Sequence, residues 1–148
     1  VIIHNKAKRI QMDMDLGEVP HLECHGSQLS QVFLNIATNA IYAAEKGESD
    51  SPCVKIRSWS DQENAYISIA DNGPGISEDV KSTIFDPFVT TKPVGEGTGM
   101  GLAICYNIVT DHHGDIRVDN GEPGAVFTVS IPLSQNSPDE PGVVNELI

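Results

Sequence analysis

The chain has 148 residues, 39% of them apolar, which suits one domain with a real core. Its formal charge of −12 argues against non-specific nucleic-acid binding, since a polyanion is repelled over most of the surface; an anionic ligand must be held by local backbone groups and metal. No apolar run reaches the roughly twenty residues of a membrane span and no basic-plus-apolar leader is present, so the chain reads as soluble and without membrane contact of its own.

Residues 1–9 carry apolar side chains and much of the basic charge, and they read as a lead-in from an upstream element; the start without methionine is compatible with excision from something membrane-bound. Ile10 to Leu16 alternates strictly and predicts a half-buried strand, with a second short strand over Val19 to Cys24. Ser27 then offers an N-cap hydroxyl. Leu29, Val32, Phe33, Ile36, Ala37, Ala40, Ile41 and Ala44 follow the i, i+3, i+4 rule of an amphipathic helix that ends near Lys46-Gly47. Asn35 and Asn39 lie one turn apart on this helix. Their amide oxygens suit Mg²⁺, which takes hard oxygen donors and few protein ligands while bridging phosphates; as an isolated pair they read equally as polar edge residues.

Residues 54–59 and 65–71 predict an antiparallel hairpin across Asp61-Gln62-Glu63-Asn64. Alternation puts Ile67, Ile69 and Asp71 on one face, so Asp71 points where the isoleucines point. A carboxylate there needs donors, which a ligand's exocyclic amine would supply; the plainer reading of Asp71-Asn72-Gly73 is turn chemistry closing a strand. Ser77 caps a short helix. The connector from Ile84 to Pro93 has the length of a lid, with Phe85 and Phe88 placed to anchor it on the core and Lys92 able to reach a terminal phosphate or simply exposed on a loop.

Gly95 to Gly101 has glycine at every other position and runs into a helix from about Gly99 to His113. Its backbone N–H groups can form a concave anion nest, reinforced by the helix N-terminus, although such a loop can also be merely flexible. Asp115 to Asn120 and Ala125 to Pro132 predict a terminal hairpin, and residues 134–148 a mobile acidic tail or linker. Cys24, Cys53 and Cys105 read as buried thiols of a reducing compartment, and the spacings of His25, His112 and His113 match no zinc pattern. The order of elements predicts an α/β (α+β) two-layer sandwich, with helices on one face of a mixed, mostly antiparallel sheet.

As a set, these residues are recognisable. Asn35-Ile36-Ala37-Thr38-Asn39-Ala40 resembles the N box, Asp71-Asn72-Gly73-Pro74-Gly75-Ile76 the G1 box, Ile84-Phe85-Asp86-Pro87-Phe88 the F box, and Gly97-Thr98-Gly99-Met100-Gly101-Leu102 the G2 box. In this order and spacing they resemble the catalytic ATP-binding domain of bacterial sensor histidine kinases in the GHKL superfamily, over residues 10–133. Thr90-Thr91-Lys92-Pro93 is similar to the nitrogen-regulation-type kinases.

The resemblance implies a Bergerat fold that binds ATP and Mg²⁺ and donates the γ-phosphoryl group in two-component signalling. Asp71 would accept from the adenine amino group, Asn39 would ligate Mg²⁺ with Asn35 assisting, and Asn39 and Lys92 would serve catalysis. The nucleotide site would also draw on Tyr42, Gly73, Gly75, Ile76, Phe88, Thr91, Gly97, Thr98, Gly99, Met100, Gly101 and Leu102, under an ATP lid from about Ile76 to Thr98. The implied partners are a histidine-bearing dimerisation domain, to which residues 1–9 would lead, and a response regulator. The implied location is cytoplasmic, with inner-membrane anchoring of a longer protein left open.

Many members carry a basic residue and then an aromatic just after Asn-Ala-x, where this chain has Tyr42 and Ala43. His4 is followed by Asn5 rather than an acidic residue, so it is not the phosphoacceptor. The alternatives are an ATP-hydrolysing clamp of the gyrase or mismatch-repair kind, in which a glutamate would stand where Asn35 stands, and a degenerate nucleotide-sensing module.

Overall fold

The computed structural model describes residues 9–90, 92 and 99–134. The expected lead-in before Arg9, the tail after Ser134, and Thr91, Gly97 and Thr98 of the expected site lie outside the described residues.

The order is β1 (Gln11–Leu16), α1 (Gly26–Lys46), β2 (Cys53–Ser60), β3 (Asn64–Asp71), α2 (Glu78–Lys81), α3 (Gly101–Asp111), β4 (Asp115–Asn120) and β5 (Ala125–Pro132). The strands form one five-stranded sheet in the order β1-β2-β3-β5-β4, parallel between β1 and β2 and antiparallel elsewhere. The register places Val54 opposite Asp71, Ile56 opposite Ile69 and Ile69 opposite Phe127, so the apolar alternates of these strands share one face. Helices α1 and α3 pack against each other and on the sheet, α1 over β2 and β3 and α3 over β4 and β5. Between the layers lie Val32, Ile36, Val54, Ile69, Val109, Phe127 and Val129, all buried. Among the described residues no helix is long and apolar enough to cross a membrane.

The expected half-buried first strand pairs as a strand but is not half-buried. Met12, Met14 and Leu16 are 44%, 58% and 60% exposed, because β1 is the sheet edge beyond the strands that α1 covers. Val19 to Cys24 forms no strand. The cap of α1 also differs. His25 is the N-cap, its carbonyl accepting from Gln28 and Leu29, and Ser27 lies inside the helix. The backbone N–H of His25 instead donates to Nε2 of His112 at 3.0 Å, while Nδ1 of His112 lies 2.8 Å from the Ile108 carbonyl. A carbonyl can only accept, so Nδ1 carries the proton and Nε2 is the acceptor. This buried histidine ties the end of α3 to the start of α1. Of the thiols, Cys105 is buried while Cys24 and Cys53 are only partly so, and all are unpaired.

Truncating Ile36, which is 1% exposed at the centre of the core, to alanine is expected to cost about 2–5 kcal/mol of stability in urea unfolding. His112→Ala, which leaves the His25 N–H without its acceptor, is expected to cost about 1–3 kcal/mol in the same measurement.

Candidate nucleotide site

β3 ends on Asp71, and the inward side of its pleat makes this carboxylate one of the few buried polar side chains, at 7% exposure. Its Oδ1 accepts from the Gly73 N–H at 2.8 Å and from the Ala125 N–H at 3.4 Å. No partner of Oδ2 is seen among the described residues, yet that oxygen is not a sealed orphan, and Asp71 lines a cavity of about 730 Å³. A cavity of this size suits a small-molecule ligand, and Oδ2 has the chemistry to accept a further hydrogen bond. Burial pushes the Asp71 carboxyl above its ordinary value, against the opposing pull of the Gly73 and Ala125 amides.

The turn after Asp71 is held from two sides. Asn72 accepts from the Cys53 N–H at 2.8 Å and donates to the Ser51 carbonyl at 2.9 Å, so this asparagine is a backbone staple. Asn120, at the end of β4, accepts from the Ile76 N–H at 2.8 Å and donates to the Ile76 carbonyl at 2.7 Å. Two glycines let chains meet around the carboxylate. A Cβ on Gly73 would strike the Ala43 carbonyl of α1, and one on Gly124, at φ +93°, would strike the Asp71 backbone.

Helix α1 supplies the opposite wall. Asn35, Asn39, Tyr42 and Lys46 recur at helical spacing and all line the cavity, with Thr38 and Ala43 beside them. Burial pushes the Cys105 thiol of α3 up, with the Asn35 side chain opposing that rise. Lys92 from the connector lies 3.2 Å from Asn39 Oδ1 with its ammonium nitrogen, and 4.8 Å from the centre of the Tyr42 ring. Lys46 approaches the same ring at 5.3 Å. The floor and third wall include Gly75, Ile76, Val80, Ile84, Ala125 and Phe127, and the start of α3 contributes Gly101 and Leu102, preceded by Gly99.

Ten residues expected in the site line this one cavity: Asn35, Asn39, Tyr42, Asp71, Gly75, Ile76, Lys92, Gly99, Gly101 and Leu102. Gly73 and Met100 are beside it without lining it. Phe88 does not line it either, and its expected role as an anchor on the core is not met: it is 77% exposed, at φ 68°, with its N–H donating to the Gly99 carbonyl at 2.7 Å. Ile84, which is buried in the core, and Phe85 anchor the connector, Phe85 lying edge-on to Phe127 at 6.4 Å and tilted on Tyr106 at 5.8 Å. Lys46, Asn120, Gly124 and Ala125 were not singled out from sequence. Lys46 was findable, because it stands seven residues after Asn39 on the same helix face; Asn120 and the Gly124-Ala125 turn act across the sheet and carry no local signal.

The Asp71 shift has a stability consequence with a definite sign. A carboxyl raised on folding contributes stability that is full below its ordinary 3.8 and is lost as pH rises through the folded value. Asp71→Asn, which keeps an acceptor for Gly73 and Ala125 but cannot ionise, is therefore expected to gain on wild type in urea unfolding as pH rises above 3.8, and to match it below that value.

The family profile described as "Histidine kinase-, DNA gyrase B-, and HSP90-like ATPase" matches residues 24–135. The chain is 38% identical over 130 residues to Sporulation kinase E of Bacillus subtilis, which covers 86% of this chain but 17% of that protein. The solved catalytic domain of histidine kinase ThkA superposes with a TM-score of 0.74 at 35% identity, covering 84% of this chain and 81% of the other. ThkA in complex with response regulator protein TrrA superposes with a TM-score of 0.71 at 32% identity, over 85% of this chain and 35% of that one. The chain thus spans about a sixth of the curated relative's length but most of a solved catalytic domain. With the profile covering most of the sequence and the ThkA catalytic domain matched over four-fifths of its length, the chain belongs to the histidine kinase-, DNA gyrase B- and HSP90-like ATPases, among their histidine kinase catalytic domains.

Proposed function

We propose that this chain binds Mg-ATP in the cavity between α1, the end of β3 and the start of α3, and donates the γ-phosphoryl group to a histidine on a separate dimerisation domain. The observation that carries the reading is the convergence of Asp71, Asn39 and Lys92, from three distant stretches of sequence, on one cavity capped by the start of a helix. Asp71 Oδ2 takes the adenine amino group while Oδ1 stays committed to Gly73 and Ala125. The first turn of α3 offers backbone N–H groups to the phosphates.

A divalent cation fits the donor set. The Asn39 amide oxygen already attracts a cation, the Lys92 ammonium, and Asn35 adds a second amide on the same helix face. Mg²⁺ held by Asn39, with Asn35 assisting, would supply charge neutralisation on the phosphates. Lys92 leaves the Asn39 oxygen and pairs with the terminal phosphate, steadying the group to be transferred. Phosphoryl transfer is mostly positioning and charge neutralisation, which is what these side chains can do.

A hydrolysing clamp is disfavoured, because the residue that would activate water is Asn35, whose amide takes no proton at neutral pH. Among the described lining residues the single carboxylate is Asp71, which is committed to two backbone amides. Residues 10–133 form the proposed ATP-binding unit, and the Thr90-Thr91-Lys92-Pro93 run supports a nitrogen-regulation-like subgroup. A response regulator as the eventual partner draws support from the ThkA complex with TrrA, and the proposed location is cytoplasmic.

Calorimetric titration with a non-hydrolysable ATP analogue tests the site. Wild type is expected to bind more tightly with Mg²⁺ than without. Asp71→Asn is expected to weaken binding by about 2 kcal/mol or more, some thirtyfold in Kd, through loss of a charge-assisted hydrogen bond. Asn39→Ala is expected to abolish the Mg²⁺ dependence while retaining weak binding. No binding by wild type under either condition refutes the reading.

A further inference from the structure

We propose that Lys46, which no sequence motif assigns, is a second phosphate-binding cation of this site, and that the ring of Tyr42 positions it together with Lys92. The inference rests on the ATP-binding reading above and adds a residue and a positioning device to it.

The first observation is electrostatic. The chain carries 21 acidic against 9 basic residues, and among the described residues the cations lining the cavity are Lys46 and Lys92. A nucleotide polyphosphate brought against so acidic a protein needs local positive charge. Neither lysine takes part in the ion pairs seen among the described residues, which join Lys81 to Asp119 and Arg117 to Asp115. In a chain with more than two acidic residues for each basic one, two ammonium groups lining one cavity with no ion-pair partner among the described residues are poised for an anion from outside.

The second observation is geometric. Tyr42 stands on the cavity face of α1, one turn before Lys46 and one turn after Asn39. The two ammonium nitrogens lie 5.3 and 4.8 Å from the centre of its ring, inside the range of a cation–π contact. One aromatic face system thus gathers a lysine from the helix and a lysine from the connector, and the second of these also touches the Asn39 amide oxygen. The ring restrains two long, flexible stems and lowers the entropy that each loses on meeting a phosphate. The competing role for Lys46 is electrostatic comfort at the C-terminal end of α1, where a cation is favoured by the helix dipole.

The test measures affinity for three ligands, a non-hydrolysable ATP analogue, ADP and adenosine, by calorimetry at low and high salt. Lys46→Gln is expected to weaken the ATP analogue and ADP by about three- to tenfold at low salt, with a shallower salt dependence, and to leave adenosine unchanged. Tyr42→Leu is expected to reproduce that pattern. Tyr42→Phe, which keeps the ring, is expected to restore most of the loss, and Lys46→Gln is expected to add little in the Tyr42→Leu background.

Unchanged affinity of Lys46→Gln for the ATP analogue, with wild type binding normally, overturns this inference and leaves the ATP site standing. An equal loss for adenosine assigns Lys46 to fold support and overturns it as well. Additive effects of the two substitutions overturn the role of the ring. Failure of wild type to bind any of the three ligands refutes the ATP reading itself, and this inference with it.

Discussion

The burial of the Asp71 carboxylate is the constraint from which the rest of the site follows. A carboxylate at the end of a central strand, facing the helix layer, is tolerable only if it is supplied with donors. The protein gives one oxygen two backbone amides, from Gly73 and Ala125, and leaves the other toward the cavity. For those amides to arrive, the turn after β3 must pass directly under the Ala43 carbonyl of α1, and the β4–β5 turn must press on Asp71 itself. Both approaches are closed to any residue with a Cβ, so glycine stands at 73 and at 124.

Asparagine does much of the remaining fixing, in two different ways. Asn72 and Asn120 use both ends of their amides on backbone groups, which holds the glycine turn on the sheet. Asn35 and Asn39 lie on the helix opposite and keep their amides at the cavity. Rigid staples behind the turn and amides that line the cavity across from it are what a preorganised ligand site requires. His112 has a similar structural part at the other end of the helix layer, setting the entry of α1 against the exit of α3.

The connector wall is built differently. Ile84 and Phe85 are its apolar footholds, Phe85 on Phe127 and Tyr106, while Phe88 faces outward and is joined to the rest through its N–H to Gly99. Beyond that point Val89 and Thr90 line the cavity, and Lys92 reaches Asn39 and Tyr42 through polar and cation–π contacts. Such contacts are weaker and more easily exchanged than core packing, which suits a wall that must let a nucleotide in.

The sequence by itself determined the elements whose signal is local. The apolar period of α1 runs from Leu29 to Ala44, the alternation of β2, β3 and β5 fixes which face is buried, and Asp71 could be assigned inward from its parity with Ile67 and Ile69. The ordered motifs pointed to the family for the same reason: each is a short stretch whose residue types are set by the chemistry of one turn. What only the tertiary structure decided is everything that depends on a second segment. Periodicity promised β1 a buried face, but coverage is a property of the layer above, and α1 lies over β2 and β3. Ser27 had the chemistry of a cap, but the cap position fell to His25, whose N–H is taken by a histidine 87 residues away. Phe88 matched Phe85 in hydrophobicity, and a positive φ turned it outward. Asn120 and Gly124 entered the site through contacts across the sheet, and no rule confined to neighbours in sequence can state a distance between segments that only folding brings together.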